Sequence, residues 1–276
     1  HFVEKKLDRA GGTYKWYYYG PMFRYERPQK GRLREFHQFG CEVFGVANVY
    51  EDANIIMLIR EILEYFGIEF TLKLNSLGCL ECMPQYKNNL VNHLNSFKSE
   101  LCEDCNRRVD KNPIRVLDCK NEKCQTLLKD APKITNSLCS SCNSDFEKLK
   151  EILDFNKINY EIDSNLVRGL DYYNKTAFEF VSNEIGAQSA IAGGGRYDRL
   201  VEYLGGKSTA GIGFAIGIER LLELVKMNKE KKEFLYIGVL DEISLNKAFE
   251  IAIKKRKTTK TYIEYTPRGF AKHFGI

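Results

Sequence analysis

The sequence predicts an α+β protein: an antiparallel β-sheet flanked by helices, interrupted by a helical Cys-rich module and followed by part of an α/β domain. Three observations carry this. Residues 19–45 alternate with period two on both sides of a basic loop punctuated by Pro28 and Gly31, the pattern of a hairpin. Residues 76–149 abandon that patterning and hold eight of the nine cysteines in four pairs. Residues 211–225 read as a glycine-dense strand running straight into a helix.

In the hairpin, Arg24 and Glu26 share one face of the first strand, with Phe23 and Tyr25 on the other. On the second strand Phe36, Gln38 and Glu42 line one face and Phe39, Cys41 and Val43 the opposite one. The loop between them carries Arg27, Lys30, Arg32 and Arg34. An arginine, two carboxylates, an amide and a stacking ring beside a basic loop suit a polyanion attached to a flat ring, which describes a nucleotide. By strand parity His37 belongs to the apolar face and reads as a satisfied core histidine. Cys41 reads as a small buried hydrophobe and Trp16 as packing for the start of the hairpin.

The later elements follow in order. Residues 49–67 place Ile55, Ile56, Ile59, Ile62, Leu63 and Phe66 at helical spacing, with Gly67 as the stop. Residues 70–74 alternate as a strand. The stretch 76–149 is Asn-, Lys- and Cys-rich and reads as short helices joined by turns. Patterning resumes at Tyr160, with strands at 176–181 and 188–193, a helix at 196–204, a strand at 211–217 and a helix at 218–225. A charged linker at 228–233 precedes a strand, helix and strand at 234–240, 245–255 and 261–265, which suggest an α/β domain. The expected organisation is a core at 1–75 and 151–227, an inserted module at 76–150, and a linker with a partial domain at 228–276.

Composition sets wider bounds. The 276 residues are 43% hydrophobic and 12% aromatic, as expected of a folded chain with a sizeable core. No run approaches the ~18 apolar residues of a membrane span. The start lacks a signal-peptide pattern and an initiator Met, so the chain is expected to begin inside a longer protein. A net charge of +5 permits nucleic-acid binding without demanding it. Nine cysteines in a chain with no secretion signal favour thiols or metal over disulfides, and a cytoplasmic location.

Cys79 and Cys82, Cys102 and Cys105, Cys119 and Cys124, and Cys139 and Cys142 have the spacing of zinc knuckles. Four such pairs could close one or two structural Zn2+ sites; the alternative is reduced thiols in a small helical core. His93, in the same stretch, reads as a solvated helix position rather than a ligand.

Two further motifs carry chemistry. Gly211, Gly213 and Gly217 let a ligand lie close to the backbone, and Arg220 in the next helical turn is placed to hold a phosphate. Close helix–strand packing with a solvated arginine is the plain alternative. Residues 166–173 combine Arg168, Asp171, Tyr172 and Tyr173, and paired tyrosines can cradle a small aromatic while their hydroxyls bond its polar atoms. A tyrosine pair at a sheet edge would look the same.

Together these segments resemble a known family. Phe23-Arg24-Tyr25-Glu26 through Glu42 resembles the second signature motif of class II aminoacyl-tRNA synthetases, and residues 213–220 resemble the third. Residues 166–173, with Gly193-Gly194-Gly195-Arg196-Tyr197-Asp198, resemble the segments that distinguish histidyl-tRNA synthetases. The resemblance covers nearly the whole chain and implies the class II synthetase fold. It further implies activation of L-histidine with ATP and Mg2+, transfer to tRNA(His), and a homodimer.

Position by position, the resemblance implies that Arg24 grips the α-phosphate and Glu26 accepts from the adenine amino group. Phe36 and Arg220 would cover the two faces of adenine, Arg220 also reaching the γ-phosphate. Arg32 and Arg34 would meet phosphates or the tRNA acceptor end. Gln38 and Glu42 would bind histidine. Arg168 would serve the α-phosphate, Tyr172 and Tyr173 would surround the imidazole, and Tyr197 with residues 193–195 would close the pocket. Arg24, Arg168 and Arg220 are the catalytic candidates. Adenylation needs positioning and charge stabilisation rather than a general base. The inserted module resembles an arm that touches the acceptor stem. The family's first motif and a Pro-Glu-Thr-like element are expected before His1. A non-catalytic histidine-sensing paralogue and a zinc-stabilised RNA-binding protein are the rival expectations. The phosphate-clamp arginines speak against the first and the hairpin chemistry against the second.

Overall fold

The computed structural model describes residues 1–25, 28, 31–117, 119, 121–167, 172–184, 190–225 and 234–275. They fall into two compact units, His1–Val225 and Lys226–Ile276. The first is built on β1 (Tyr14–Phe23), β2 (Glu35–Phe44), β3 (Thr71–Ser76), β4 (Glu161–Ile162), β5 (Asn174–Val181), β6 (Ala190–Arg196) and β7 (Gly211–Gly217). The sheet order is β1-β2-β7-β6-β5-β3-β4, antiparallel except for the β3–β4 pair.

The hairpin is longer than its second-motif stretch, because alternation continues back through Tyr18, Trp16 and Tyr14 on the more buried face of β1. Phe2, just before α1 (Leu7–Ala10), stacks on Phe44 at 4.4 Å and meets the Trp16 ring at 5.7 Å, so Trp16 does pack the hairpin's open end.

Helix α2 (Val49–Tyr65) starts where the Asn48 side chain accepts from the Tyr50 N–H, and Glu51 and Asp52 suit its first turn. It buries Ile55, Ile56, Ile59 and Leu63, while Phe66 faces outward. Gly67 ends it with φ 65°, a left-handed turn that glycine adopts without strain. Helices α6 (Ser140–Phe155) and α8 (Ile218–Leu224) add Phe146, Leu149, Leu153, Leu221 and Leu224 to the same core. All three helices cover the sheet face carrying Phe178, Phe180, Ile212, Phe214 and Ile216. Each fully buried side chain of this size contributes about 1.5–3 kcal/mol.

Between β3 and α6 lie α3 (Met83–Asn95), α4 (Glu103–Lys111) and α5 (Glu122–Leu127), the short helices that the composition suggested. Tyr86, Leu90, Leu94, Val109 and Val116 form a second apolar cluster there with Cys82, Cys105, Cys119, Cys124 and Cys142.

The helix expected at 196–204 shrinks to α7 (Leu200–Tyr203). Arg196 still belongs to β6, and the Tyr197 N–H donates to the Gly211 carbonyl at 2.8 Å, so the backbone stays extended.

In the second unit, β8 (Phe234–Gly238) and β9 (Lys260–Glu264) pair in parallel across α9 (Leu245–Lys255), and α10 (Phe270–Phe274) follows. Parallel neighbours need such a crossover, and α9 buries Ala248 and Ala252. The linker at 228–233 lies outside the described residues. No described helix is long and apolar enough to cross a membrane.

Candidate active site

The sheet has two chemically different faces. Opposite the helices, one lateral row runs Tyr18–Gly40–Ala215–Gly193–Glu179 and the next runs Trp16–Glu42–Gly213–Gly195–Ala177. Small residues therefore form a floor, and the polar side chains of β2 stand above it. The alternation that buries Phe214 and Ile216 on the helix side puts Gly213 and Ala215 on this one.

At one end a cavity of about 230 Å3 is lined by Arg24, Phe36, Gln38, Gly193, Glu219 and Arg220, among others. Arg24 donates from Nε to the Leu33 carbonyl at 2.7 Å, and its guanidinium lies 4.1 Å over the Phe36 ring. Arg220 donates from Nε to Gly31 O at 2.9 Å and from Nη1 to Ala190 O at 2.6 Å, bridging the hairpin loop and β6. Burial, then the neighbouring charges of Arg24 and Arg32, pull the Arg220 pKa down. Three cations held this close favour a polyanion between them.

Further along the same face, Tyr197 donates its hydroxyl hydrogen bond to Oε2 of Glu42. Burial pushes the Glu42 carboxyl up from 4.5 to about 7, against the pull of that bond. Tyr18 is driven up to about 12 by burial and by Glu42. The ring of Tyr173 lies 4.9 Å from that of Tyr172 and 6.1 Å, edge-on, from that of Tyr197. The result is a carboxylate ringed by phenols. Glycine makes room for it: a Cβ on Gly213 would meet Glu42 Oε2 at 1.8 Å, one on Gly40 the Tyr18 ring at 2.4 Å, and one on Gly211 the Tyr197 ring at 2.4 Å. An acceptor that can gain or lose a proton near neutrality, walled by aromatic hydroxyls, suits a small cationic or imidazole-like ligand.

A family model described as histidyl-tRNA synthetase matches residues 3–221. A histidine–tRNA ligase of Sulfurovum sp. is 62% identical over 272 residues, spanning 99% of this chain and 68% of the relative. The chain belongs to the histidyl-tRNA synthetase family. The structure of apo histidyl-tRNA synthetase from Staphylococcus aureus matches with a TM-score of 0.73 and 32% identity, over 99% of this chain and 68% of that one. A Bacillus halodurans protein described as an ATP phosphoribosyltransferase regulatory subunit/histidyl-tRNA synthetase shares the fold at TM-score 0.64 and 19% identity, over 95% of this chain and 71% of that one.

Of the residues that the synthetase motifs single out, Arg24, Phe36, Gln38 and Arg220 meet at the first cavity, and Glu42, Tyr172, Tyr173 and Tyr197 at the second group. Gly193 lies on the floor of the first. Arg32 is one of the charges felt by Arg220, and the guanidinium of Arg34 sits 6.0 Å over the Tyr25 ring. Glu26 and Arg168 lie outside the described residues. The Arg24 guanidinium lies on the Phe36 face on which the resemblance would stack adenine.

His37 is satisfied, but not by the core. Its N–H donates to the Glu219 carboxylate at 2.9 Å and its Nδ1 lies 3.0 Å from the same group, at the half-exposed rim where α8 begins. The His37 bonds, after the opposing effect of burial, hold Glu219 below its usual value. Cys41 is half-buried against the core. His93 is half-buried with its ring edge-on to Phe97 at 4.9 Å, and belongs to neither cysteine cluster.

Three groups escaped the motif reading. Tyr18 stands opposite Gly40, and its parity with Trp16 was the available signal. Arg196 is 2% exposed and pairs with Asp52 through Nε at 2.8 and 2.9 Å, with Asp198 at 3.1 Å, and with the carbonyls of Val46 and Asn48 at 3.0 Å. Asp198 in turn accepts from the Gly211 N–H at 3.1 Å and from Asn174 Nδ2 at 3.2 Å. This network ties α2 to the strands that floor the site.

The eight paired cysteines of this family member form two tetrads, Cys79/Cys82/Cys139/Cys142 and Cys102/Cys105/Cys119/Cys124, each with all sulfurs within 4.8 Å of one another. No disulfide links the described cysteines. Sulfur separations of 3.7 Å (Cys79–Cys82), 3.8 Å (Cys79–Cys139) and 3.9 Å (Cys102–Cys119) recur. A tetrahedron with Zn–S bonds of about 2.3 Å has edges of about 3.8 Å, so the spacing fits zinc. Cys82, Cys102 and Cys139 sit at the N-caps of α3, α4 and α6.

Proposed function

We propose that this chain provides the catalytic core of a histidine–tRNA ligase, and that the observation carrying this is the pairing of an arginine-lined cavity with the Glu42–tyrosine pocket on one glycine floor. ATP enters the first and L-histidine the second. The histidine carboxylate attacks the α-phosphorus, the bond to the bridging oxygen breaks, and pyrophosphate leaves. The terminal ribose hydroxyl of tRNA(His) then attacks the adenylate carbonyl, with AMP as leaving group.

Negative charge grows on the α-phosphate oxygens during the first attack. Guanidinium groups fixed there act more strongly on the transition state than on bound ATP. Arg24 takes this role with Arg168 as its second candidate, Arg220 covers adenine and reaches the γ-phosphate, and Arg24 must leave the Phe36 ring for adenine to stack there. Glu26 accepts from the adenine amino group. Gln38 and Glu42 hold histidine, Tyr172 and Tyr173 wall its imidazole, and Tyr197 fixes the Glu42 carboxylate. Arg32 contacts phosphate. Glu179, Glu219 and Glu223 line the ATP cavity and offer the oxygen donors that Mg2+ takes, and the ion would neutralise the phosphates.

The same reading makes the protein a cytoplasmic homodimer whose 76–150 module meets the acceptor stem. The two tetrads hold structural zinc, since a small segment with few aromatics gains much of its stability from metal. The sensing paralogue is disfavoured by Arg24 and Arg220, for which a sensor has no use; the Bacillus halodurans likeness concerns fold alone. Charging of a tRNA(His) transcript with labelled histidine by the full-length protein tests the proposal, and charging that is absent or indifferent to the amino acid would refute it.

A further inference from the structure

The two tetrads occupy different places in the fold. The ligands of Cys102/Cys105/Cys119/Cys124 all come from the single stretch 102–124. The bonds at that tetrad, Cys102 N–H to Cys124 Sγ at 3.2 Å and Asn121 N–H to Cys119 Sγ at 3.4 Å, stay inside it. The other tetrad joins two ends of the chain. Cys79 follows β3 by three residues, and Cys139 caps α6, whose far half is buried in the core of the sheet. The Cys139 N–H donates to Cys82 Sγ at 3.1 Å, closing the two ends on each other.

The segments carrying these ligands also grip the strand behind the tyrosine wall. Leu77 N–H donates to Lys175 O at 2.6 Å, and Lys175 N–H donates to Gly78 O at 2.7 Å. Lys175 Nζ reaches Asp145 Oδ2 at 2.9 Å, three residues beyond Cys142 in α6. Lys175 holds φ 50°, a left-handed conformation that an L-residue keeps only where its surroundings impose it. Gly78 has φ 65°, and a Cβ there would meet Cys82 Cβ at 2.7 Å, so the turn is built against the tetrad. Tyr172 and Tyr173 immediately precede this clamped strand start. With Cys79 and Gly78 they line a common cavity of about 600 Å3.

We propose that the Cys79/Cys82/Cys139/Cys142 site is a metal clasp whose occupancy positions Tyr172 and Tyr173 in the histidine pocket, whereas the Cys102/Cys105/Cys119/Cys124 site holds only the outer part of the module. The inference rests on the zinc and histidine-pocket readings above. Its ligand class is a soft divalent ion, zinc by sulfur geometry. Tightening the clasp fixes residues 77–78 and 145, and these fix Lys175. Losing the ion frees that anchor, and the cost falls on histidine binding rather than on ATP.

The test compares the full-length protein with Cys142→Ser and with Cys105→Ser, reading zinc per chain by elemental analysis and histidine and ATP dissociation constants by calorimetry. Wild type should carry two zinc ions, one per tetrad, and each variant one. Cys142→Ser should weaken histidine by roughly tenfold or more with ATP changed less than about threefold, and Cys105→Ser should leave both within about threefold. Should Cys142→Ser fail to fold, the single variant Cys79→His keeps four ligands, and with two zinc ions retained it should bind histidine like wild type. Histidine weakened equally by both serine variants, unchanged in a zinc-depleted Cys142→Ser, or lost in zinc-loaded Cys79→His overturns the clasp. A wild type that binds histidine but holds no zinc overturns it through the metal reading alone. A zinc-loaded wild type that does not bind histidine overturns it through the pocket reading.

Discussion

Tyr197 and Glu42, 155 residues apart in the chain, meet over Gly213 in a hydroxyl–carboxylate hydrogen bond. The pair joins the Gly193–Asp198 segment to the hairpin. Burial lifts Glu42 to about 7, so near neutrality it is poised between acid and carboxylate. Histidine affinity should rise with pH through that value as the carboxylate forms. Glu42→Gln should flatten the component not due to the substrate's own imidazole and weaken histidine roughly 10- to 100-fold. Binding isotherms across pH check both.

The same shift has a consequence for stability. A carboxyl raised in the folded state from 4.5 to about 7 favours folding fully below the lower value, and that contribution is lost as pH rises through the upper one. The thermal midpoint of ligand-free protein should therefore fall between about pH 5 and about pH 8, and fall less in Glu42→Gln. Calorimetric scans of the two proteins side by side check this.

Gly213→Ala should damage the pocket without removing a polar group. Its Cβ would lie 1.8 Å from Glu42 Oε2 and 2.6 Å from the Cys41 carbonyl, and the second of these cannot rotate away. We expect about 1–3 kcal/mol of destabilisation and a large loss of histidine affinity. Denaturant melts and calorimetry measure the two effects.

Arg196 should be structural in spite of its place in the Gly193–Asp198 segment. Its guanidinium is buried and spent on Asp52, Asp198 and two carbonyls. Arg196→Ala leaves Asp52 buried without its cation and should cost about 3–5 kcal/mol, whereas Arg196→Met with Asp52→Leu should cost less. Urea titrations of the single and double variants separate these outcomes.

The floor of the site was legible in the sequence because strand parity is rigid. Once Phe214 and Ile216 are assigned to the core, Gly213 and Ala215 must lie on the opposite face. Arg24, Phe36, Gln38 and Glu42 were readable for the same reason. What parity could not give was partnership across the sheet. Tyr18 lies in a run of three tyrosines, and only the β1–β2 register singles it out. Arg196 looked like a helix start because its strand is continued by a bond to Gly211, fifteen residues on, which local patterning does not encode. The cysteine spacing suggested metal or reduced thiols, and four pairs can be joined in more than one way. The folding of 102–124 back on itself selects which pairs meet.

The central claim, that Arg24 and Arg220 serve a transition state formed between ATP and histidine on one sheet face, is tested most directly by histidine-dependent ATP–pyrophosphate exchange. The full-length protein should exchange with histidine and with no other amino acid. Arg24→Ala should cut the exchange rate by roughly 10²- to 10³-fold while leaving the thermal midpoint nearly unchanged. Wild-type exchange that ignores histidine, or an Arg24→Ala enzyme that exchanges at the wild-type rate, would contradict the account.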